Sequence, residues 1–165
     1  MLARSYVWAS TVVCILLACH AEGISRARPE ALTLFEAYVQ AWNRHDAAAL
    51  DTLLAVDGVH EDLAQRFTGR GPREVQAFMQ ELVKVEPDFD WHVVSAVAIG
   101  DTVAAEWTWS STYTGPSPNG PVTNLHISGR GASVALVHSH RITRFTDYYD
   151  SASFFPAVPA DTTRH

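Results

Sequence analysis

The apolar residues of this chain follow one period in its first half and another in its second, and that single change constrains the fold most. Residues 29–44 (PEALTLFEAYVQAWNR) put Leu32, Phe35, Tyr38, Val39 and Trp42 at helical spacing, with Pro29 suited to a first turn. Asp46 is placed to cap a second helix over AAALDTLLA (47–55), which ends at the Asp57-Gly58 turn. A short extended piece around Val59 and Phe67 leads to Gly71-Pro72. A third helix starts there (PREVQAFMQELVK) and gathers Val75, Phe78, Met79 and Leu82 on one face. Pro87 closes the helical half.

From Trp91 onward the period is two. WHVVSAVAI, the Gly100-Asp101 turn and TVAAEWTWSSTYT make a hairpin. Its second strand sends Val103, Ala105, Trp107, Trp109 and Tyr113 to one face and Thr102, Ala104, Glu106 and Thr108 to the other. A Pro/Gly loop (115–121) precedes a long strand through Val137. The tight His138-Ser139-His140 connection then leads to a last strand, RITRFTD. Asp150 is suited to cap a final short turn, and residues 156–165 read as a disordered tail. Helices first and long strands afterwards indicate α+β, with about three N-terminal helices packed on one face of an antiparallel sheet.

At 165 residues the chain has room for one domain, and 47% hydrophobic content suffices for a core. Its 12 Lys+Arg against 18 Asp+Glu give a net charge of −6. An acidic chain without a basic run is a poor partner for nucleic-acid phosphates or anionic membranes, so no nucleic acid is expected.

Residues 1–21 read as an export signal rather than as part of the fold. Arg4 supplies a positive start, and residues 7–19 form an uncharged apolar run, shorter than the ~20 residues of a spanning helix. Two processing sites compete. Leu16-Leu17-Ala18-Cys19 is similar to a bacterial lipobox, which would leave Cys19 lipidated and the domain tethered to a membrane. Cleavage after Ala21 would instead release the domain, and an uncleaved anchor is the third reading. The expected location is secreted or cell-envelope. Both cysteines, Cys14 and Cys19, fall in this segment, so the domain proper has no disulfide, thiol nucleophile or thiolate metal site.

The order of elements, with GVHED (58–62), FTGRGPREV (67–75) and RITRFTDYYD (141–150), resembles the nuclear transport factor 2-like superfamily, and within it the SnoaL-like branch, over roughly residues 30–155. The resemblance implies a cone-shaped, curved sheet whose mouth holds an apolar small molecule. It also implies relatives among polyketide cyclases, ketosteroid isomerases and epoxide hydrolases, besides proteins that only bind. Like the isomerases, which use a first-helix Tyr and a later Asp, the chain has Tyr38 24 positions before Asp62. The isomerases' second, protonated Asp falls near Ala132–Ser133 and is missing. The hydrolases' middle-strand Arg/Asp pair falls on Trp107 and Trp109, and their water-orienting Tyr and Asn on His60 and Asp62. The acid/base Asp on the last strand of hydrolases and cyclases falls on Asp147.

The residues can be weighed on their own terms. Phe145 and Asp147 share a strand face, so a pocket that receives one receives both. A carboxylate in an apolar cone has its pKa raised and can exchange a proton near neutral pH; the plain alternative is a solvated or Arg-paired Asp. Asp62 joins it from another wall or answers Arg66 or Arg70 at the surface. His60 shares Asp62's side and is its candidate partner. Tyr38 is either a hydrogen-bond donor to the site or plain core. Trp42, Trp107, Trp109, Tyr113 and Phe145 line the cavity or pack the core. His138 and His140 lack a third ligand nearby, so no metal is expected, and no cofactor either. No Gly-x-Ser-x-Gly nucleophile pattern occurs.

Two functions follow. One is cofactor-free acid/base catalysis on a hydrophobic small molecule, with Asp147 as the principal group, Asp62 and His60 assisting and Tyr38 as donor. The other is a non-catalytic envelope protein that holds such a molecule, compatible with a homodimer. The N-terminal reading is testable directly. Mass spectrometry of protein from its native host should find a new N-terminus at Cys19 or Glu22, and Cys19→Ala should release it from the membrane only if a lipid is attached. An intact Met1 on the mature protein rules export cleavage out.

Overall fold

The computed structural model describes residues 29–153; the expected export segment with Cys14 and Cys19, and the expected tail, lie outside the described residues. Helix α1 (Glu30–Asn43) begins directly after Pro29 and buries Phe35, Tyr38, Val39 and Trp42, the stripe that the helical period marks. Asp46 caps a short 3-10 turn, Ala47–Ala49, by accepting the Ala49 N–H at 3.1 Å. α2 (Leu50–Leu53) is a single turn.

The second helix is therefore shorter than its sequence suggests, and strand β1 (Leu54–Asp62) starts where the helix was expected to continue. The cause lies far along the chain. Leu54 pairs with Ile142, and from there five steps along β1, to Val59, match two along the last strand, to Arg144. The Asp57-Gly58 pair is thus a bulge inside a strand rather than a helix-ending turn. A Cβ at Gly58 would lie 2.9 Å from the Ile142 carbonyl oxygen, so the bulge closes only without a side chain there.

β2 (Phe67–Arg70) folds back on β1, and α3 (Gly71–Val85) buries Val75 and Met79. The chain then lays down β3 (Asp90–Ile99), β4 (Thr102–Gly115), β5 (Val122–His138) and β6 (Arg141–Tyr149). The sheet order is β2-β1-β6-β5-β4-β3. It is antiparallel throughout except for one pair: β1 and β6 run parallel. A parallel pair needs a long crossover, and here α3 and four strands, β2 to β5, supply it. The result is an α+β fold of three helices on a six-stranded, curved, unclosed sheet.

β4 alternates as its sequence does, with Val103, Ala105, Trp107 and Trp109 buried and Thr102, Ala104, Glu106 and Thr108 exposed. Trp107 lies across Gly131, its partner on β5. A Cβ on Gly131 would meet the Trp107 ring at 2.6 Å and the Tyr148 carbonyl oxygen at 2.7 Å. Since the Tyr148 backbone cannot yield, the indole has to move. Gly131→Ala should therefore destabilise the domain by about 1–3 kcal/mol in denaturant titrations and alter its tryptophan emission. An unchanged midpoint and spectrum would show that Trp107 does not depend on the missing side chain.

Candidate active site

The parallel pairing of β1 with β6 sets His60 beside Phe145 and Asp62 beside Asp147. His60 is 2% exposed, and Asp62 and Asp147 are each 6% exposed, so a histidine and two carboxylates share the inner face of two neighbouring strands. Groups of this kind are buried only with partners.

Asp147 has them. Its Oδ1 accepts from the Ser133 hydroxyl, and its Oδ2 lies 3.0 Å from His60 Nε2. The other imidazole nitrogen, Nδ1, lies 2.6 Å from the Tyr38 hydroxyl. The directions follow from the chemistry of the groups. An indole only donates, so Trp107 Nε1–H, 2.7 Å from Ser133 Oγ, leaves the serine proton to Asp147. Burial, reinforced by the Asp147 charge, holds the Tyr38 hydroxyl well above its ordinary pKa, so it keeps its proton and donates to His60. In the tautomer that accepts from Tyr38 at Nδ1, His60 carries its ring proton on Nε2 and donates it to Asp147. Two donor chains, Trp107 to Ser133 and Tyr38 to His60, thus end on the two oxygens of Asp147.

Asp62 belongs to a second cluster. Its Oδ1 accepts the Gln65 N–H at 2.9 Å and its Oδ2 the Tyr149 hydroxyl at 2.7 Å. Burial pushes the Asp62 carboxyl up, and these two donors pull against it. Burial and the adjacent Asp62 hold the Tyr149 hydroxyl well above its usual value. The expected His60–Asp62 partnership is thus replaced: His60 turns to Asp147 and Tyr38, because β6 lies beside it. Asp62 answers neither Arg66 nor Arg70.

Both carboxylates reach a cavity of about 50 Å³ enclosed by α1, α3 and the concave sheet, room for a few water molecules. Trp42, His60, Trp91, Trp107 and Trp109 line it, and Gln65, Leu82, Phe89 and Tyr149 are its more exposed members. Of the residues singled out from the sequence, three lie off it. Tyr38 stands behind His60, and Phe145 is wholly buried against Phe35 and Tyr38. Tyr113 is only partly buried, and its hydroxyl donates to the Pro116 carbonyl at 2.6 Å. Asp150 accepts from the Ala152 N–H at 2.9 Å, as a turn cap does. His140 pairs with Glu30 on α1.

Residues 32–158 match the family of SnoaL-like polyketide cyclases. The chain belongs to that family. Among solved structures, it is similar to a putative polyketide cyclase of Xanthomonas campestris, with 26% identity, a TM-score of 0.62, and 73% of this chain and 90% of that one covered. It is likewise similar to IdmH, a putative polyketide cyclase of Streptomyces antibioticus, with 19% identity, a TM-score of 0.66 and coverages of 75% and 94%. An epoxide hydrolase of Mycobacterium tuberculosis shares the fold at 23% identity and a TM-score of 0.61, with coverages of 76% and 86%. No curated protein matches the chain in sequence.

In this SnoaL-like domain several cavity residues, or partners of them, escape the sequence reading, Glu86, Ser111, Tyr149 and Trp91 among them. Glu86 is 6% exposed, lines the cavity and accepts the Ser111 hydroxyl at 2.8 Å. It continues the buried stripe of α3 four positions beyond Leu82, a trace visible in the sequence. Ser111 and Tyr149 continue the alternations of β4 and β6 in the same way. Trp91 is held by the Asn43 side-chain amide, which donates to its carbonyl at 2.8 Å and accepts its N–H at 2.7 Å. Its indole N–H is buried and has no partner among the described residues.

Burial pushes the Glu86 carboxyl up, the Ser111 hydroxyl opposing and Asp88 adding to the rise. A carboxyl raised on folding binds more protons folded than unfolded, so stability falls as pH rises from the ordinary carboxylate range through the raised value. Glu86→Gln keeps an acceptor for Ser111 and removes that loss. Its melting temperature should exceed the parent's at pH 7 by ~2–5 °C, and the gain should vanish in acid. A gain that persists or grows on acidification contradicts this account.

Proposed function

We propose that this is an exported domain that catalyses proton transfer at carbon in a small apolar ligand, by side-chain acid/base chemistry of the isomerase or aldol-cyclase type. What carries the reading is the Asp147 carboxylate, buried at the cavity with both oxygens oriented by hydrogen bonds and with a second carboxylate, Asp62, beside it. Export rests on residues 1–21 alone.

In the proposed step Asp147 is the general base. A C–H bond next to a ligand carbonyl breaks, its proton joins the Asp147 carboxylate, and the electron pair moves onto the carbonyl oxygen. The unpaired Trp91 indole N–H is a donor for that oxygen. The proton then returns to a different carbon, or the enolate carbon attacks a second carbonyl of the same molecule, whose π electrons move onto its oxygen, and that oxygen takes the proton back from Asp147. Asp62, its carboxyl raised by burial, accepts or returns a proton from the neighbouring position. His60 and Tyr38 position Asp147. A ligand larger than the cavity enters by displacing the exposed rim. The second reading, binding without chemistry, draws support from Trp107 and Trp109 standing where the hydrolases carry an Arg/Asp pair.

The test uses phenylacetone, a small aryl ketone, and follows loss of its α-protons in D2O by NMR. The wild-type domain should accelerate exchange, and Asp147→Asn should lower that acceleration by ~10²–10⁴ while ketone binding persists. Asp150→Asn, which keeps the turn cap, should exchange like wild type. Ketone binding without accelerated exchange gives the binding reading, and undiminished exchange in Asp147→Asn removes Asp147 from its role.

A further inference from the structure

We infer that the cavity is shaped for an apolar ligand bearing a positive charge, a substituted ammonium group, with Glu86 as its anchor. The inference rests on the proposed ligand-binding reading and names the ligand class. Three carboxylates line the cavity, Asp62, Glu86 and Asp147, each 6% exposed, and none of the other lining residues is a lysine or arginine. The imidazole of His60 is already shared between Tyr38 and Asp147. Asp62 is held by a hydroxyl and a backbone N–H, and the Glu86 contact is the Ser111 hydroxyl, so both rely on neutral donors. Two arginines on the neighbouring strands serve other acids: Arg144 pairs with Glu61 and Arg130 with Glu106, both on the opposite face of the sheet.

Buried acids without a counter-charge carry an unrelieved desolvation cost. A neutral apolar ligand would deepen that cost by displacing water, whereas a cation relieves it. The walls suit a cation as well. Phe89 stacks on Trp109 with centroids 5.9 Å apart and meets Trp91 edge-on at 6.5 Å, and all three line the cavity alongside Glu86. Aromatic faces around one carboxylate are the arrangement that recognises alkylammonium groups, and indole is the strongest of the rings.

The location separates recognition from chemistry. Ser111, which holds Glu86, stands six residues along β4 from Ala105, whose partner on β5 is Ser133, the residue that holds Asp147. A ligand with its ammonium at Glu86 would present its other end to Asp62 and Asp147. Its positive charge would also offset the negative charge that builds up when Asp147 takes a proton from carbon.

The experiment compares benzylammonium with benzyl alcohol, its neutral counterpart of the same size, by calorimetric titration of the folded domain at pH 7. Benzylammonium should bind at least ten-fold more tightly. Glu86→Gln should weaken benzylammonium at least five-fold and leave benzyl alcohol unchanged. Glu81→Gln, an exposed acid of α3 five residues before Glu86, should change neither. Equal affinities in the wild-type domain, or equal losses for both probes in Glu86→Gln, overturn the ammonium assignment and leave the ligand-binding reading standing. If neither probe binds, the ligand-binding reading falls too, and this inference with it.

Discussion

A carboxylate buried beneath aromatic rings survives only if its surroundings replace the water it has lost, and Asp147 forces the rest of this molecule to supply that replacement. The uncompensated cost of such a charge is several kcal/mol, comparable to the whole stability of a small domain. Ser133 and His60 meet its two oxygens, and each is itself held, Ser133 by Trp107 and His60 by Tyr38. Trp107 in turn lies where it does because Gly131 has no side chain. Groups from α1, β1, β4, β5 and β6 thus converge on one acid. Loss of any link leaves a buried polar atom without a partner, so the network specifies geometry as much as it adds stability.

How much of this was legible in the sequence depends on whether the deciding contact is local. The α1 stripe, the β4 alternation and the hairpin at Gly100-Asp101 are set by neighbours within a few residues, and periodicity reads them. The early end of α2 is not local: the alanine-rich stretch 47–55 favours a helix, but the partner that pulls Leu54 into a strand is Ile142. His60 shows the same limit at the site. Alternation places it on the side of Asp62, but only the long-range pairing with β6 decides that it bonds Asp147 instead.

Periodicity also assigns a face without assigning depth. Phe145 and Asp147 do share a face, yet Phe145 lies under the cavity among Phe35, Tyr38 and Trp91. Tyr113 follows Trp107 and Trp109 on one strand face but stands beyond the cavity. The reverse error concerns Glu86, Ser111 and Tyr149, polar residues that extend apolar patterns by one more step. A polar residue at the end of a buried stripe is easily taken for the point where burial stops. Here it is where the cavity begins, and the apolar pattern and the acid belong to one surface.

The parallel seam between β1 and β6 has a consequence for how the chain is made. Tyr38, His60 and Asp62 come from its first part, and Asp147 and Tyr149 from its far end; the His60–Asp147 contact alone spans 87 positions. Such a site has no half-formed version. A growing chain that has emerged only as far as β5 has neither Asp147 nor the strand that sets it against His60. Because pairing over that distance must await the last strand, closure of the fold and assembly of the site are one event.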